Sequence, residues 1–151
     1  IAVSLAKYLP QSEITAIDIS NDALKIAKKN AVSNNVENQI TFISSDLFTN
    51  LNEEKFDIIV SNPPYIETDV IKTLPTEVRN EPIIALDGGK DGLKFYKIIL
   101  SEYKKYLKKD GYLLLEIGYN QAKSVGELIN LNYSIIEDLA GNDRVIIIKG
   151  W

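Results

Sequence analysis

The sequence contains no cysteine, no histidine and no methionine among its 151 residues. Without cysteine the chain has no disulfide, no thiolate metal site and no cysteine nucleophile. Without histidine it lacks the usual general base and the commonest metal ligand, and we expect no metal site. Its chemistry must therefore rest on carboxylates, amides, hydroxyls or backbone groups.

Basic residues are also in short supply, since 17 Lys and Arg face 21 Asp and Glu and the formal net charge is −4. Proteins that hold nucleic-acid phosphates need clustered cations, so this balance argues against direct nucleic-acid binding. No apolar run is long enough to span a bilayer, and no signal peptide is visible. We therefore expect a cytoplasmic protein with no membrane partner.

The length is that of one domain, and we expect residues 1–151 to form one. The chain opens on Ile1 to Lys7, which has the pattern of a helix interior without a start or cap signal. We interpret the sequence as an N-terminally truncated fragment of a longer protein.

Short apolar strands alternate with helices along the chain. The predicted strands are 14–17, 40–43, 56–61 and 112–117, with a closing hairpin formed by 133–137 and 144–148. The predicted helices are 1–9, a helix capped by Ser20 that ends near Asn34, 93–107 stopped by Asp110-Gly111, and 121–131. This alternation predicts an α/β fold with a doubly wound, mostly parallel sheet and right-handed crossovers.

The central stretch of this pattern is the apolar strand 56–61, which runs into Asn62-Pro63-Pro64-Tyr65. Its β-branched residues predict a strand buried on both faces, and the two prolines end it because they offer no N–H to a ladder. Ligands of open α/β sheets bind at the carboxyl ends of strands, so Asn62 to Tyr65 would line a crevice. The alternative is a plain strand exit without a function.

Two carboxylates follow other predicted strands, Asp18 after 14–17 and Asp46 after 40–43. An acidic residue at the end of the second strand of a nucleotide-binding sheet accepts hydrogen bonds from ribose hydroxyls. Alternatively, each Asp simply turns the chain. Together with Asn62, both would lie at the same edge of a parallel sheet, which favours the functional interpretation.

The segment 66–92 is polar and rich in turn residues. A connection of this length inside a compact domain is usually functional or mobile. We expect it to be a lid that faces the substrate.

Five motifs together carry a family resemblance: VSNPPYI at 60–66, RNEP at 79–82, ALDGGKDGL at 85–93, LEIGYNQ at 115–121 and GNDRV at 141–145. In these motifs the chain resembles, over its whole length, the HemK/PrmC family of S-adenosylmethionine-dependent protein-(glutamine-N5) methyltransferases. The resemblance implies a Rossmann-like class I methyltransferase catalytic domain. It also implies that the first strand, the Gly-rich loop and a helical N-terminal domain are missing from this sequence.

The resemblance implies specific roles for individual residues. The cofactor would be S-adenosylmethionine, with S-adenosylhomocysteine as its product, held by Asp18 at the ribose, by Asp46 and Leu47 at the adenine, and by Asn62. The catalytic and substrate-binding residues would be Asn62, Pro63, Pro64 and Tyr65, with Glu81 as a further substrate contact. For Glu81 and Arg144, an ion pair or a turn is the structural alternative.

The implied reaction is methylation of the glutamine in the Gly-Gly-Gln loop of peptide-chain release factors, in translation termination. Three alternatives stay open at this point. One is methylation of a glutamine in a ribosomal protein, and another is methylation of an adenine or guanine amino group in DNA or RNA, for which Asn-Pro-Pro-Tyr would serve a flipped base. The third is a nucleotide-binding or structural α/β module without activity.

Overall fold

The structure is a computed structural model that describes residues 1–52 and 54–151. The chain divides into two compact units, the first ending at Asn52 and the second running on to Trp151. None of the described helices combines the length and the apolar run that crossing a membrane requires.

The first unit alternates helices and strands in the predicted order. It consists of α1 (Ala2–Tyr8), β1 (Ile14–Asp18), α2 (Asn21–Ser33) and β2 (Ile40–Ser44). The strands pair in parallel, from Ile14 opposite Ile40 to Asp18 opposite Ser44. Parallel pairing of neighbours in the chain requires a crossover, which α2 provides.

The helix α2 begins as the sequence predicts, because the Ser20 hydroxyl accepts a hydrogen bond from the Ala23 N–H at 3.2 Å. Its inner face joins the small core of the unit. That core consists of Ala6, Ala31, Val36 and Ile40, with Ala2, Val3, Ile14, Ala16 and Phe42 packed against it. Burial of these side chains holds both helices against the strand pair.

Among its described residues, the second unit has a four-stranded sheet and three α-helices. The strands are β3 (Phe56–Ser61), β4 (Leu107–Glu116), β5 (Tyr133–Glu137) and β6 (Asp143–Lys149), and the helices are α3 (Thr76–Arg79), α4 (Lys94–Glu102) and α5 (Ala122–Gly126). The strand order is β3-β4-β6-β5. The β3–β4 pair is parallel, and β6 runs antiparallel to both β4 and β5. The predicted α/β class and the closing antiparallel hairpin are confirmed.

The core of this unit lies along β4, in which every second side chain points inward. Leu113, Leu115 and, just past the strand, Ile117 are completely buried. They are joined by Ile146 and Ile148 of β6 and by Tyr96 and Ile99 of α4, all nearly or fully buried.

The prediction that the central strand is buried on both faces is wrong. Ile58 and Val60 of β3 are 52% and 38% exposed, whereas Ile59 between them is partly buried. In the described part of the chain, β3 forms a ladder with β4 alone, so it is an edge strand. A β-branched apolar run therefore does not distinguish a strand covered on both faces from one covered on a single face.

The predicted helix 93–107 is too long. The helix α4 ends at Glu102, a 3₁₀ turn spans Tyr103–Lys105, and Leu107 already belongs to β4, opposite Phe56. The next pair in register is Ile58 with Tyr112, so the residues between Leu107 and Tyr112 bulge out of the ladder. The Asp110-Gly111 signal thus marks an irregularity within a strand instead of a helix stop.

The predicted helix 121–131 is also shorter than expected, because α5 ends at Gly126. The ring of Tyr133 packs directly on Gly126, where no side chain would fit. The N–H groups of Leu128 and Ile129 then bond to carbonyls three residues back, which tightens the chain into turns. Packing against β5, invisible to local periodicity, decides where this helix ends.

The predicted lid, residues 66–92, folds back on itself at its two ends. Ile66 and Asp87 form a parallel bridge, and the Gly88 N–H donates to the Ile66 carbonyl at 2.8 Å. Between these ends lie α3 and two 3₁₀ turns, Ile71–Thr73 and Ile83–Ala85. The lid function stays a prediction.

Candidate active site

Asp18 ends β1 with an exposed side chain. Its Oδ1 accepts a hydrogen bond from the Ser20 N–H at 2.8 Å, which turns the chain toward α2. The second carboxylate oxygen, Oδ2, accepts no hydrogen bond from the described residues. Asp18 therefore does turn the chain, and its Oδ2 is still able to accept a hydrogen bond from a ligand hydroxyl.

Asp46 and Leu47 follow β2, the strand next to Asp18. The Ser45 N–H donates to the Asp18 carbonyl at 3.0 Å, so the structure brings Asp18 and the 45–47 turn together. Asp46 is exposed, and Leu47 has a positive φ of 47°. A left-handed backbone at a leucine is strained, so surrounding contacts must hold it.

Those contacts come from Ser45, a residue to which the sequence reasoning assigned no role. Ser45 is only 3% exposed. Its hydroxyl donates to the Leu47 carbonyl at 2.7 Å and accepts from the Asn50 N–H at 3.0 Å. The available signal was a small hydroxyl residue between a strand and an Asp, which is typical of side chains that bond nearby backbone.

In the second unit, Asn62 leaves the end of β3 with an exposed side chain, and its amide makes no hydrogen bond to the described part of the chain. Pro63 is buried, and Pro64 and Tyr65 are partly buried. Neither proline can donate, and the Pro63 carbonyl accepts no hydrogen bond within the described residues. The strand exit thus presents an amide and a carbonyl that are both able to bind a ligand.

Backbone contacts hold the end of this segment. The Tyr65 carbonyl accepts a hydrogen bond from Gln121 Nε2 at 3.0 Å. A Cβ at Gly88 would lie 2.7 Å from the Tyr65 Cα, and one at Gly92 would lie 2.5 Å from the Tyr65 carbonyl oxygen. The sequence motifs include these residues, but only the fold shows that they meet at Tyr65.

The Tyr65 hydroxyl lies in a polar cluster behind the segment. Burial is the main reason that its pKa is raised, and the negative charge of Glu116 adds to the effect, whereas Arg144 opposes it. Glu116 is held in turn by Tyr96, whose hydroxyl donates to the Glu116 carbonyl at 2.8 Å. Tyr65 therefore keeps its proton at neutral pH and is no candidate for a general base.

Arg144 is held in the hairpin of β5 and β6. Its Nη2 lies 3.1 Å from Asp138 Oδ2 and its Nη1 donates to the Ile117 carbonyl at 3.2 Å. Of the two structural alternatives, the ion pair describes Arg144, which lies in β6. Glu81 is exposed, its N–H donates to the Val78 carbonyl at 3.0 Å, and no ion pair of Glu81 occurs among the residues that the structure describes.

Comparison with known proteins identifies the family. Residues 1–77, half of the chain, match the family described as methyltransferase small domain. The chain belongs to this family. A methyltransferase from Pyrococcus furiosus has a similar fold, with a TM-score of 0.68 and 21% identity over 98% of this chain and 68% of that one. The predicted class I methyltransferase fold is confirmed.

Curated relatives of this methyltransferase domain carry more specific names. A protein of Fusobacterium nucleatum named release factor glutamine methyltransferase is 48% identical over 99% of this chain and 44% of its own length. A bifunctional methyltransferase of Rickettsia felis is 44% identical over 97% of this chain and 29% of its own length. These names confirm the resemblance seen in the motifs, and the chain spans less than half of each of the two relatives.

In the methyltransferase domain, replacing Ser45 by alanine is expected to lower the free energy of unfolding by about 1 to 3 kcal/mol. The Asn50 N–H and the Leu47 carbonyl, whose bonds to Ser45 are partly buried, each lose a partner, and the strained Leu47 backbone loses its support. Urea unfolding of the full-length protein measures the change. Ser44→Ala, at an exposed neighbour, is the control and should stay within about 0.5 kcal/mol of wild type; equal effects of both variants would contradict the role of Ser45.

Acid is expected to weaken the methyltransferase domain through Asp138. Hydrogen bonds from the Asn142 backbone and the Arg144 side chain lower the pKa of Asp138 from 3.8 to about 2. The pKa of Asp138 is therefore lower in the folded protein than in the unfolded chain, so its ionised carboxylate stabilises the folded state. This contribution is fully present above pH 3.8 and is lost as the pH falls toward 2. Thermal melts at several pH values should show a shallower acid decline for Asp138→Asn than for wild type, and parallel curves would contradict the assignment.

Proposed function

We propose that this chain is the catalytic part of a cytoplasmic methyltransferase that transfers a methyl group from S-adenosylmethionine to the glutamine side-chain nitrogen in the Gly-Gly-Gln loop of peptide-chain release factors. One observation carries the proposal: Asn62 leaves the end of β3 with an exposed amide that no described residue engages, beside the Pro63 carbonyl, which also accepts no bond. The name of the Fusobacterium nucleatum relative supports the substrate class.

Asp18, Asp46 and Leu47 are the proposed cofactor contacts. The chemistry of Asp18 fits a ribose, since a carboxylate with Oδ1 fixed by Ser20 keeps Oδ2 for vicinal hydroxyls. The turn held by Ser45 presents Asp46 and the Leu47 side chain in one conformation, suited to a polar edge and an apolar face of a base. When bound, S-adenosylmethionine supplies a methyl group attached to a positively charged sulfur.

Asn62 and Pro63 are the proposed catalytic contacts to the glutamine. A primary amide nitrogen is a poor nucleophile because its lone pair is delocalised into the carbonyl, as in a peptide bond. Its two N–H groups can donate to the Asn62 Oδ1 and to the Pro63 carbonyl. These bonds strengthen as the nitrogen gains positive charge, so fixed dipoles stabilise the transition state without a histidine base.

Pro64 and Tyr65 complete this proposed pocket. The two prolines restrict φ and thereby limit the movement of the Asn62 and Pro63 acceptors. The Tyr65 residue, held at its carbonyl by Gln121 and partly buried, offers the flat face of its ring to a planar amide. Glu81 is the proposed contact from the 66–92 segment, because its carboxylate is exposed and able to accept from the substrate backbone.

The test is methylation of a release factor by the full-length protein in the presence of S-adenosylmethionine. Intact mass should rise by a single methyl group, and fragmentation should place it on the glutamine of the Gly-Gly-Gln loop. A ribosomal-protein fraction and an adenine-containing oligonucleotide are run in parallel. A methyl group found only on one of these would refute the release-factor substrate, and methylation of none would refute the proposal altogether.

A further inference from the structure

Gln121 is a buried polar side chain that joins three loops of the second unit. It is 8% exposed and lies at the N-cap of α5. Its Oε1 accepts from the Gly118 N–H at 3.0 Å, and its Nε2 donates to the Tyr65 carbonyl at 3.0 Å and to the Gly92 carbonyl at 3.5 Å. Exchanging the two amide atoms would place an oxygen against two carbonyls, so the partners fix its orientation.

The contact with Tyr65 matters because it is a hydrogen bond to a segment, Asn62–Tyr65, whose backbone is otherwise held by packing. Within the described part of the chain, the N–H and carbonyl groups of these four residues form one hydrogen bond, the one from Gln121. Anchoring resumes at Ile66, whose N–H donates to the Leu86 carbonyl at 3.0 Å. A buried donor from a separate loop therefore sets where the segment lies between β3 and Ile66.

The glycines around Tyr65 make this contact possible. Gly92 has a φ of 67°, and a Cβ there would lie 2.7 Å from Gln121 Nε2 as well as against the Tyr65 carbonyl. At Gly118 a Cβ would lie 2.9 Å from Gln121 Oε1. Both positions leave the Gln121 amide space that any larger residue would occupy.

We propose that Gln121 is a positioning residue: its side-chain amide fixes the Tyr65 carbonyl and thereby the Asn62 amide and the Pro63 carbonyl in the orientation that receives the substrate. This inference rests on the proposed function for its effect on turnover. Because Gln121 is buried and bonded to backbone groups, its proposed action is through the Tyr65 carbonyl and not through direct contact with substrate or cofactor. Substitution of Gln121 should lower kcat more than it raises KM. Asn62 and Pro63 acceptors that are held loosely still bind the substrate amide in the ground state, but they lose the alignment that the transition state needs.

The first experiment compares Gln121→Leu and Gln121→Glu with wild type in the full-length protein. At pH 7.5 we expect kcat to fall by about 10- to 100-fold in both variants, with KM for S-adenosylmethionine within about twofold of wild type. Gln11→Glu, at an exposed site, is the matched charge control and should leave kcat unchanged. A kcat within twofold of wild type in Gln121→Leu, or an equal loss of cofactor affinity, would overturn the positioning role.

The pH dependence of kcat in Gln121→Glu shows whether Gln121 acts by donating a hydrogen bond to Tyr65 or only by filling space. An ionised carboxylate cannot donate to Tyr65, whereas the protonated acid can, and burial raises the pKa of a glutamate above its usual value of about 4.3. The ratio of variant to wild-type kcat should therefore rise as the pH is lowered from 7.5 toward 5.5. A ratio that does not change with pH would overturn the inference.

Hydrogen–deuterium exchange provides a measurement that does not depend on activity. In Gln121→Leu the amides of Ile66 and Gly88, which bond to the Leu86 and Ile66 carbonyls, should exchange faster than in wild type, while those of β4 and β6 keep their protection. Unchanged exchange at Ile66 and Gly88 would overturn the positioning role even if turnover falls. If wild type fails to methylate the release factor, the proposed function is wrong, and the exchange data still decide whether Gln121 holds the segment.

Discussion

Asn62→Ala in the full-length enzyme is expected to lower kcat for release-factor methylation by about 10²- to 10³-fold, the usual cost of removing one preorganised transition-state contact. The substitution removes the acceptor for a substrate N–H, whose hydrogen bond gains strength as positive charge develops on the nitrogen. Asn62 is exposed and bonds to no other described residue, so its loss leaves the fold intact. The dissociation constant of S-adenosylmethionine should change little.

Single-turnover methylation and calorimetric titration of the cofactor measure these two quantities separately. Asn30→Ala is the matched control, because Asn30 is exposed near the C-terminal end of α2 and should leave both quantities unchanged. If Asn62→Ala lowered cofactor affinity as much as kcat, the assigned role of Asn62 toward the substrate would be wrong.

Gly92→Ala is expected to lower the free energy of unfolding by about 2 to 5 kcal/mol. A left-handed backbone costs an alanine about 1 to 2 kcal/mol, and an extra methyl group in a filled space costs about 1 to 3 kcal/mol. Both costs apply, since Gly92 has a φ of 67° and its Cβ would lie 2.5 Å from the Tyr65 carbonyl oxygen. Relief of that contact requires the Tyr65 backbone to move, so methylation should decrease as well.

Gly141→Ala measures the cost of the left-handed backbone without the cost of crowding. Gly141 has a similar φ of 80°, but nothing lies within 4 Å of the position of its Cβ. Urea unfolding should therefore show a loss of about 1 to 2 kcal/mol for Gly141→Ala and no change in methylation. Equal losses in the two variants would mean that the close approach of Gly92 to Tyr65 contributes nothing to stability.

Local sequence signals succeeded where the decisive interactions are themselves local. Ser20 predicts the start of α2, and its hydroxyl caps the Ala23 N–H. The short apolar runs predict β1 and β2, and the two prolines predict that β3 ends at Ser61. Each of these outcomes depends on residues a few positions apart, so a pattern in the chain is sufficient to reveal it.

The candidate site was predicted at the residues that would touch ligands but not at those that hold them. Asp18, Asp46 and Asn62 follow strands, and a strand end followed by a polar side chain is visible in the sequence. Ser45 and Gln121 are buried polar residues whose partners are backbone groups. Ser45 carries only the signal of a small hydroxyl residue after a strand, and nothing in the spacing around Gln121 distinguishes it from an ordinary loop residue before the loops are placed in space.

Sequence patterns are sufficient to predict the α/β class, the order of the strands along the chain, the closing hairpin and the polar exit at Asn62. Periodicity, capping and proline chemistry act within a few residues, so these features needed no tertiary information. The packing in three dimensions determines that one face of β3 is exposed, that α5 ends against Tyr133, and that Gln121 reaches Tyr65 across 56 positions of the chain. Such contacts follow from the packing of distant segments, which local preference does not specify.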